Sequence, residues 1–228
     1  MNPILQKQPA YDVAMGQVAR NKVLRNTFWL LALSMIPTVL GAFVGVSMNL
    51  ALPGGFIGLI LFLGIAFGFM YGIEKTKESA VGVLLLLGFT FFMGLMLGPL
   101  LRHTLGYSNG GSLIMTAFGG TAIVFAVMAS IATTSKRDFS GMGSWLMTGA
   151  IVIFLAIIAN VFLQIPALTI VISVLMIAVF SAFILYDVQR VVNGGETNYI
   201  TATLAIYLDL FNVFTALLRL LGIVGGDD

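Results

Sequence analysis

The sequence predicts an all-α membrane protein, a bundle of seven transmembrane helices, and three observations carry that prediction. Apolar residues make up 59% of the 228-residue chain and charged residues only 9%, against about 25% charge in a soluble domain. The apolar runs are continuous and do not alternate with period two, which selects helices over a barrel. Seven such runs follow one another, each near the roughly 20 residues that cross about 30 Å of hydrocarbon. The short gaps between them leave no room for a separate soluble domain. With no cysteine in the chain, neither a disulfide nor a thiolate metal site is available.

Residues 1–27 read as a cytosolic N-terminal tail, with Lys7, Arg20, Lys22 and Arg25 against Asp12 alone. The tail lacks the apolar stretch and small-residue site of a cleavable signal. Its segment from Val13 to Arg25 is weakly amphipathic and suits the headgroup region; a loose tail that satisfies the charge rule is the plainer alternative. The transmembrane domain, 28–228, holds spans at about 28–50, 56–73, 80–101, 112–134, 142–163, 167–190 and 200–223. Trp29 and Trp145 stand near span starts as interfacial anchors. Pro37 is expected to bend the first span and Pro99 to kink or end the third. Gln164-Ile165-Pro166 closes the fifth span, which reopens as the sixth. In the second span Gly64, Gly68 and Gly72 recur every four residues, a groove for close helix packing. Gly88, Gly94 and Gly119-Gly120 are looser cases.

Lysine and arginine asymmetry sets the orientation. Nine of them (Lys7, Arg20, Lys22, Arg25, Lys75, Lys77, Lys136, Arg137 and Arg190) share one side, and Arg102 and Arg219 lie on the other. The N-terminus is then cytoplasmic, and an odd number of spans places the C-terminus outside.

The last two spans form a hairpin across the polar turn Asn193–Asn198, and each carries one carboxylate, Asp187 and Asp209. An ionisable group inside a span costs at least about 2.5–3.5 kcal/mol and needs an interior partner. Brought together, the two carboxyls cannot both ionise cheaply, so one proton is shared between them. Such a pair would act as a pH sensor, a latch that holds two helices when protonated and repels them when doubly ionised. The same oxygens could meet Ca²⁺, but two aspartates give only a weak transit site for an ion that wants six to eight oxygens. In competition, Asp187 could pair with Arg190 one turn on, and Asp209 with Asn212, Tyr186 or Tyr207. Asn160 and Asn212 are the other intramembrane polar candidates, as interhelical bonding or pathway-lining residues, while Arg219 is expected to snorkel outward.

No enzyme motif is present: there is no phosphate-cradling glycine loop and no His-Glu-x-x-His, and His103 is the one histidine. An intramembrane aspartyl protease would need a second sequence element besides Tyr186-Asp187, and it is missing. The chain is therefore expected not to be an enzyme and to hold no resident cofactor, with Ca²⁺ as a transported ion at most.

Four stretches carry a family resemblance: Lys22-Val-Leu-Arg-Asn-Thr-Phe, Leu97-Gly-Pro-Leu, Asn160-Val-Phe-Leu-Gln-Ile-Pro-Ala-Leu and Gly194-Gly-Glu-Thr-Asn-Tyr-Ile. The chain resembles the Bax inhibitor-1 family, and within it the bacterial inner-membrane branch that modulates the FtsH protease. The resemblance implies a central helix ringed by six others. It also implies a pH-sensitive Ca²⁺ leak set by a di-aspartyl pair, whose positions Asp187 and Asp209 match. For the bacterial branch it implies that the N-terminal tail is offered to FtsH. One feature departs from the family pattern: some members place an arginine of span 2 beside the pair, and here no basic residue occurs from Gly54 to Ile73.

Overall fold

The computed structural model describes the backbone of residues 4–226 and the side chains from Val18 to Gly226, and almost all of it is helical. The helices are α1 (Ile4–Ser47), α2 (Gly55–Thr76), α3 (Ala80–Leu105), α4 (Gly110–Thr134), α5 (Gly143–Leu163), α6 (Pro166–Val192) and α7 (Tyr199–Gly225). All seven are long and apolar enough to cross a membrane, α1 doing so over Val18–Ser47.

The predicted boundaries need two changes. Helix α1 runs unbroken through residue 28. Thr27 is fully buried, and its carbonyl accepts a bond from Thr203 Oγ1 of α7 at 3.3 Å. The end of the basic segment is thus packed into the bundle instead of trailing from it. The side chains of Lys7 and Asp12, by contrast, fall outside the described residues. Helix α3 continues through Pro99 to Leu105. Its C-terminal end is held by Arg102, which donates to Gly45 O at 2.5 Å and to Leu50 O at 3.3 Å.

Helix α7 is the central one. It packs against α1, α2, α3, α4 and α6, and Ile200, Ile206, Tyr207, Val213, Ala216 and Leu218 on it are essentially inaccessible. The Tyr207 hydroxyl meets Thr38 Oγ1 at 2.9 Å, fastening the centre of the bundle to α1. Helix α5 reaches the centre only through a small apolar cluster around Ile153, Ile172, Met176 and Ala216.

The tightest packing joins α1 to α3, and glycine makes it possible. A methyl group added at Gly41 would collide with Phe91 O, at Gly94 with Thr38 O, and at Gly98 with Gly45 C at 2.8 Å. Pro99 leaves Leu95 O without its i+4 donor, and Gly45 packs against that carbonyl. Small residues at four-residue spacing on both helices let the backbones touch.

The glycines predicted to serve as packing residues in span 2 behave differently. Gly64 and Gly68 are exposed with open space where a Cβ would stand, and only Gly72 meets a neighbour, Leu85 Cδ1 at 3.2 Å. The reason lies on the opposite face of α2. There Phe62, Ala66, Phe69 and Ile73 lie at helical spacing against α3, with Phe69 5.9 Å from Phe89 and 6.0 Å from Phe92. Large side chains claimed the interior, so the small ones turned outward.

Gly94→Ala should therefore destabilise the protein by about 1–3 kcal/mol through forced overpacking. Gly68→Ala should change stability by less than about 0.5 kcal/mol. Denaturant unfolding in mixed micelles distinguishes the two, and equal losses would contradict this assignment of the seam.

Candidate functional site: a carboxyl pair between α6 and α7

The turn between α6 and α7 sets the register of the two aspartates. Helix α6 ends in a left-handed cap at Gly194 (φ 78°). Gly195 N and Gly194 N return to Arg190 O (2.8 Å) and Val191 O (3.2 Å), the bonding pattern of a Schellman motif. A side chain at Gly194 would be strained by that φ and would press on Arg20 Cδ at 3.0 Å. The chain then extends to Asn198, whose Oδ1 accepts from Ile200 N and Thr201 N and so caps α7. Asn198 Nδ2 donates to Lys77 O at 2.9 Å, tying this turn to the α2–α3 loop. Asp187 lies five residues before the end of α6, whereas Asp209 lies ten residues into α7. At about 1.5 Å per residue, α7 must start roughly 7 Å further out for the two to be level, and the extended linker provides that offset.

They are level. The Asp187 and Asp209 carboxyls face each other across the α6–α7 seam, near enough to interact. Asp209 is 5% exposed, and its Oδ2 meets no N–H or O–H donor among the described residues. A carboxylate offers only acceptors, so two of them can bond only through a proton carried by one. Both pairings that the sequence left open for Asp187 coexist: it faces Asp209, and its Oδ1 also lies 3.6 Å from Arg190 Nη1. The alternatives for Asp209 are occupied elsewhere. Tyr207 OH bonds Thr38 and Thr90 O, Asn212 Nδ2 donates to Leu208 O at 2.9 Å, and the Tyr186 hydroxyl packs at Gly143. The cation at the pair thus comes from α6 itself, where span 2 offers none.

The family model for inhibitors of apoptosis-promoting Bax1 matches residues 20–226. The chain belongs to the Bax inhibitor-1 family. Among its relatives is the modulator of FtsH protease YccA of Escherichia coli, 38% identical over 92% of this chain and 94% of that protein. An uncharacterised protein of Pseudomonas aeruginosa is 40% identical over 90% of this chain and 91% of its own length. Another from Neisseria meningitidis is 36% identical over 96% and 98%.

In this Bax inhibitor-1 family member the other predicted polar residues fall away from the pair. Asn160 lies in the last turn of α5, at the opposite end of the bundle. Its Nδ2 donates to Thr169 Oγ1 at 2.8 Å and its Oδ1 accepts from Ile165 N at 2.9 Å, so both ends of its amide fasten the α5–α6 turn. That turn needs the help, because Gln164 adopts a left-handed conformation (φ 53°) before Pro166 opens α6. Asn212 is half-buried one turn beyond Asp209, and Arg219 is exposed near the far end of α7. His103 contacts Tyr107, just past the end of its own helix. No group of three or more His, Cys, Asp or Glu positioned for a metal occurs among the described residues, so the pair could hold Ca²⁺ only with ligands from elsewhere.

Two residues escaped the sequence reading. Gln189 is buried, donates to Arg137 O at 2.7 Å and accepts from Phe139 N at 2.6 Å, anchoring α6 to the α4–α5 loop. Glu196 reaches back from the turn to Arg190, 3.8 Å away. Little signalled Gln189: it stands between Val188 and Arg190, in a stretch already made polar by Asp187 and Arg190. Outside the spans, hydrogen bonds from Ser140 N and Oγ hold the Asp138 carboxyl below the usual carboxylate range. A hydrogen bond to Glu74 raises the Lys77 ammonium above the usual lysine value.

Two ionised carboxyls at about 4 Å repel by roughly 4 kcal/mol at an effective dielectric of 20. Thermal stability in detergent should therefore fall as pH rises and the shared proton leaves. Asp209→Asn, whose amide can donate to an ionised Asp187, should remove that alkaline loss. Scanning fluorimetry over a pH series reads both proteins, and parallel losses would show that the pair is not their source.

Proposed function

We propose that the protein is a pH-sensitive cation leak of the bacterial inner membrane, with Ca²⁺ as the conducted ion and the Asp187–Asp209 pair as its gate. The observation that carries this reading is the buried, donor-less Asp209 oxygen facing a second carboxyl. With the proton in place the pair clasps α6 to α7. With it gone, like charges in a poorly solvated seam push the helices apart, and the repulsion matches the few kcal/mol that separate conformers of a helical bundle. The opened seam presents two acidic side chains to a hard cation, a transit site of low affinity. In this reading the pair gates conduction and takes no catalytic part.

The inner-membrane location draws on the relative named as an inner membrane protein, together with seven helices able to span a bilayer. The orientation follows from charge: the described basic residues Arg20, Lys22, Arg25, Lys75, Lys77, Lys136, Arg137 and Arg190 belong to the N-terminal side of the bundle, which places that side in the cytoplasm. The gate then lies within the cytoplasmic half of the membrane.

A second reading rests on the relative named as a modulator of FtsH protease. In it the protein binds that protease through its basic N-terminal tail and has no transport role. The two readings separate in one pair of measurements. In liposomes, Ca²⁺ entry through the wild-type protein should depend on pH, and Asp209→Asn should flatten that dependence. Deleting residues 1–20 should leave entry intact and abolish co-purification with FtsH. A pH profile unchanged by Asp209→Asn contradicts the gate, and co-purification that survives the deletion contradicts the tail as the docking element.

A further inference from the structure

One guanidinium stands between two carboxylates at the cytoplasmic mouth of the α6–α7 seam. Arg190 Nη1 lies 3.6 Å from Asp187 Oδ1, and Nη2 lies 3.8 Å from Glu196 Oε2. Both separations exceed the roughly 2.7–2.9 Å of a charge-assisted hydrogen bond, so neither acid has captured the cation. The Tyr186 ring, 5.7 Å from Arg190 Cζ, supports the guanidinium from α6. Glu196 is fixed in turn by Asn198 N, which donates to its Oε1 at 2.9 Å. Arg190 is 40% exposed, Glu196 22% and Asp187 12%, so these charges lead from solvent inward to the buried Asp209.

We infer that Arg190 and Glu196 tune the gate: Glu196 competes with Asp187 for the Arg190 charge and so sets the pH at which the Asp187–Asp209 clasp opens. The inference rests on the gate reading above. The charged groups facing the clasp are Arg190 from α6, Glu196 from the turn and Asp209 from α7. Glu196 also senses Lys77 of the α2–α3 loop, but that ammonium is engaged by Glu74. Arg20 of α1 also packs at this turn, against Gly194, but the guanidinium that lies between Asp187 and Glu196 is that of Arg190.

The signs follow from Coulomb's law. A cation beside Asp187 favours its ionised form, so Arg190 helps the clasp to open, and its removal keeps the clasp shut to a higher pH. Glu196 draws that cation outward; its removal lets Arg190 settle on Asp187, and the clasp opens at a lower pH. The two substitutions act in opposite directions, and Glu196 acts both through Arg190 and, more weakly, by its own charge on Asp187. Because the groups are partly exposed, each shift should be roughly half to one pH unit.

The test uses the full-length protein in liposomes, reading the pH midpoint of Ca²⁺ entry, and the same protein in detergent, reading the midpoint of the alkaline stability loss. Arg190→Gln should move both midpoints up and Glu196→Gln should move both down. The double variant should lie close to Arg190→Gln, with the Glu196→Gln shift reduced to its small direct part, and Arg190→Lys, which keeps the charge, should stay near the wild type. Shifts of the same sign, a Glu196→Gln shift as large in the Arg190→Gln background as in the wild type, or unmoved midpoints would overturn the inference. If those results appear while Asp209→Asn still flattens the wild-type transition, the tuning pair fails and the gate stands. If Asp209→Asn leaves the transition as it was, the gate fails and takes the tuning pair with it.

Discussion

A carboxyl group carried into hydrocarbon has to bring its partner with it, and the geometry of this bundle's basic end follows from that need. Asp209 sits buried in the central helix, where its second oxygen meets no donor among the described residues. The group set against it is another acid. To bring Asp187 level, the chain caps α6 with a left-handed glycine, runs out six residues and caps α7 with Asn198. Gln189 then fastens α6 from behind to the α4–α5 loop. These features place two acceptors face to face, an arrangement that costs free energy unless a proton is supplied. In the proposed gate, closure is accordingly set by pH.

The rest of the bundle is held by a different interaction. Between α1 and α3 the backbones touch through Gly41, Gly45, Gly94 and Gly98, with no side chain between them. Contacts of this kind are packing contacts and are indifferent to pH. The Thr38–Tyr207 bond joins that closely packed pair to the centre of the bundle. The molecule therefore divides into a half fixed by shape, built on α1 and α3, and a seam fixed by a titratable contact, between α6 and α7. A conformational change driven by protons has its natural boundary between the two.

The fold was legible in the sequence because hydrocarbon imposes one rule on every span, and continuous apolar runs state that rule without ambiguity. The pairing of Asp187 with Asp209 was legible for the same reason, since two lone acids in neighbouring spans have few other partners. What the sequence does not display is which face of a helix turns inward. Gly64 and Gly68 have the spacing of a packing groove, yet aromatic residues across α2 occupied the contact with α3, and the groove faces out. Gly41 and Gly45 carry the same spacing in α1, and they do pack, against the α3 backbone. Asn160 reads as an intramembrane polar group until the turn at Gln164 is seen to need both ends of its amide. Glu196 was hidden by its position in a polar turn, where a charge is expected and draws no attention.

The most direct test of the account is the protonation state of the pair itself. Infrared difference spectroscopy on the wild-type protein in bilayers, titrated with pH, reads the carbonyl stretch of protonated carboxyl groups. The account predicts one protonated aspartic acid at neutral pH whose band fades on alkalinisation and is missing from Asp209→Asn. A wild-type spectrum with no protonated carboxyl at neutral pH, or a band that Asp209→Asn leaves in place, would contradict it.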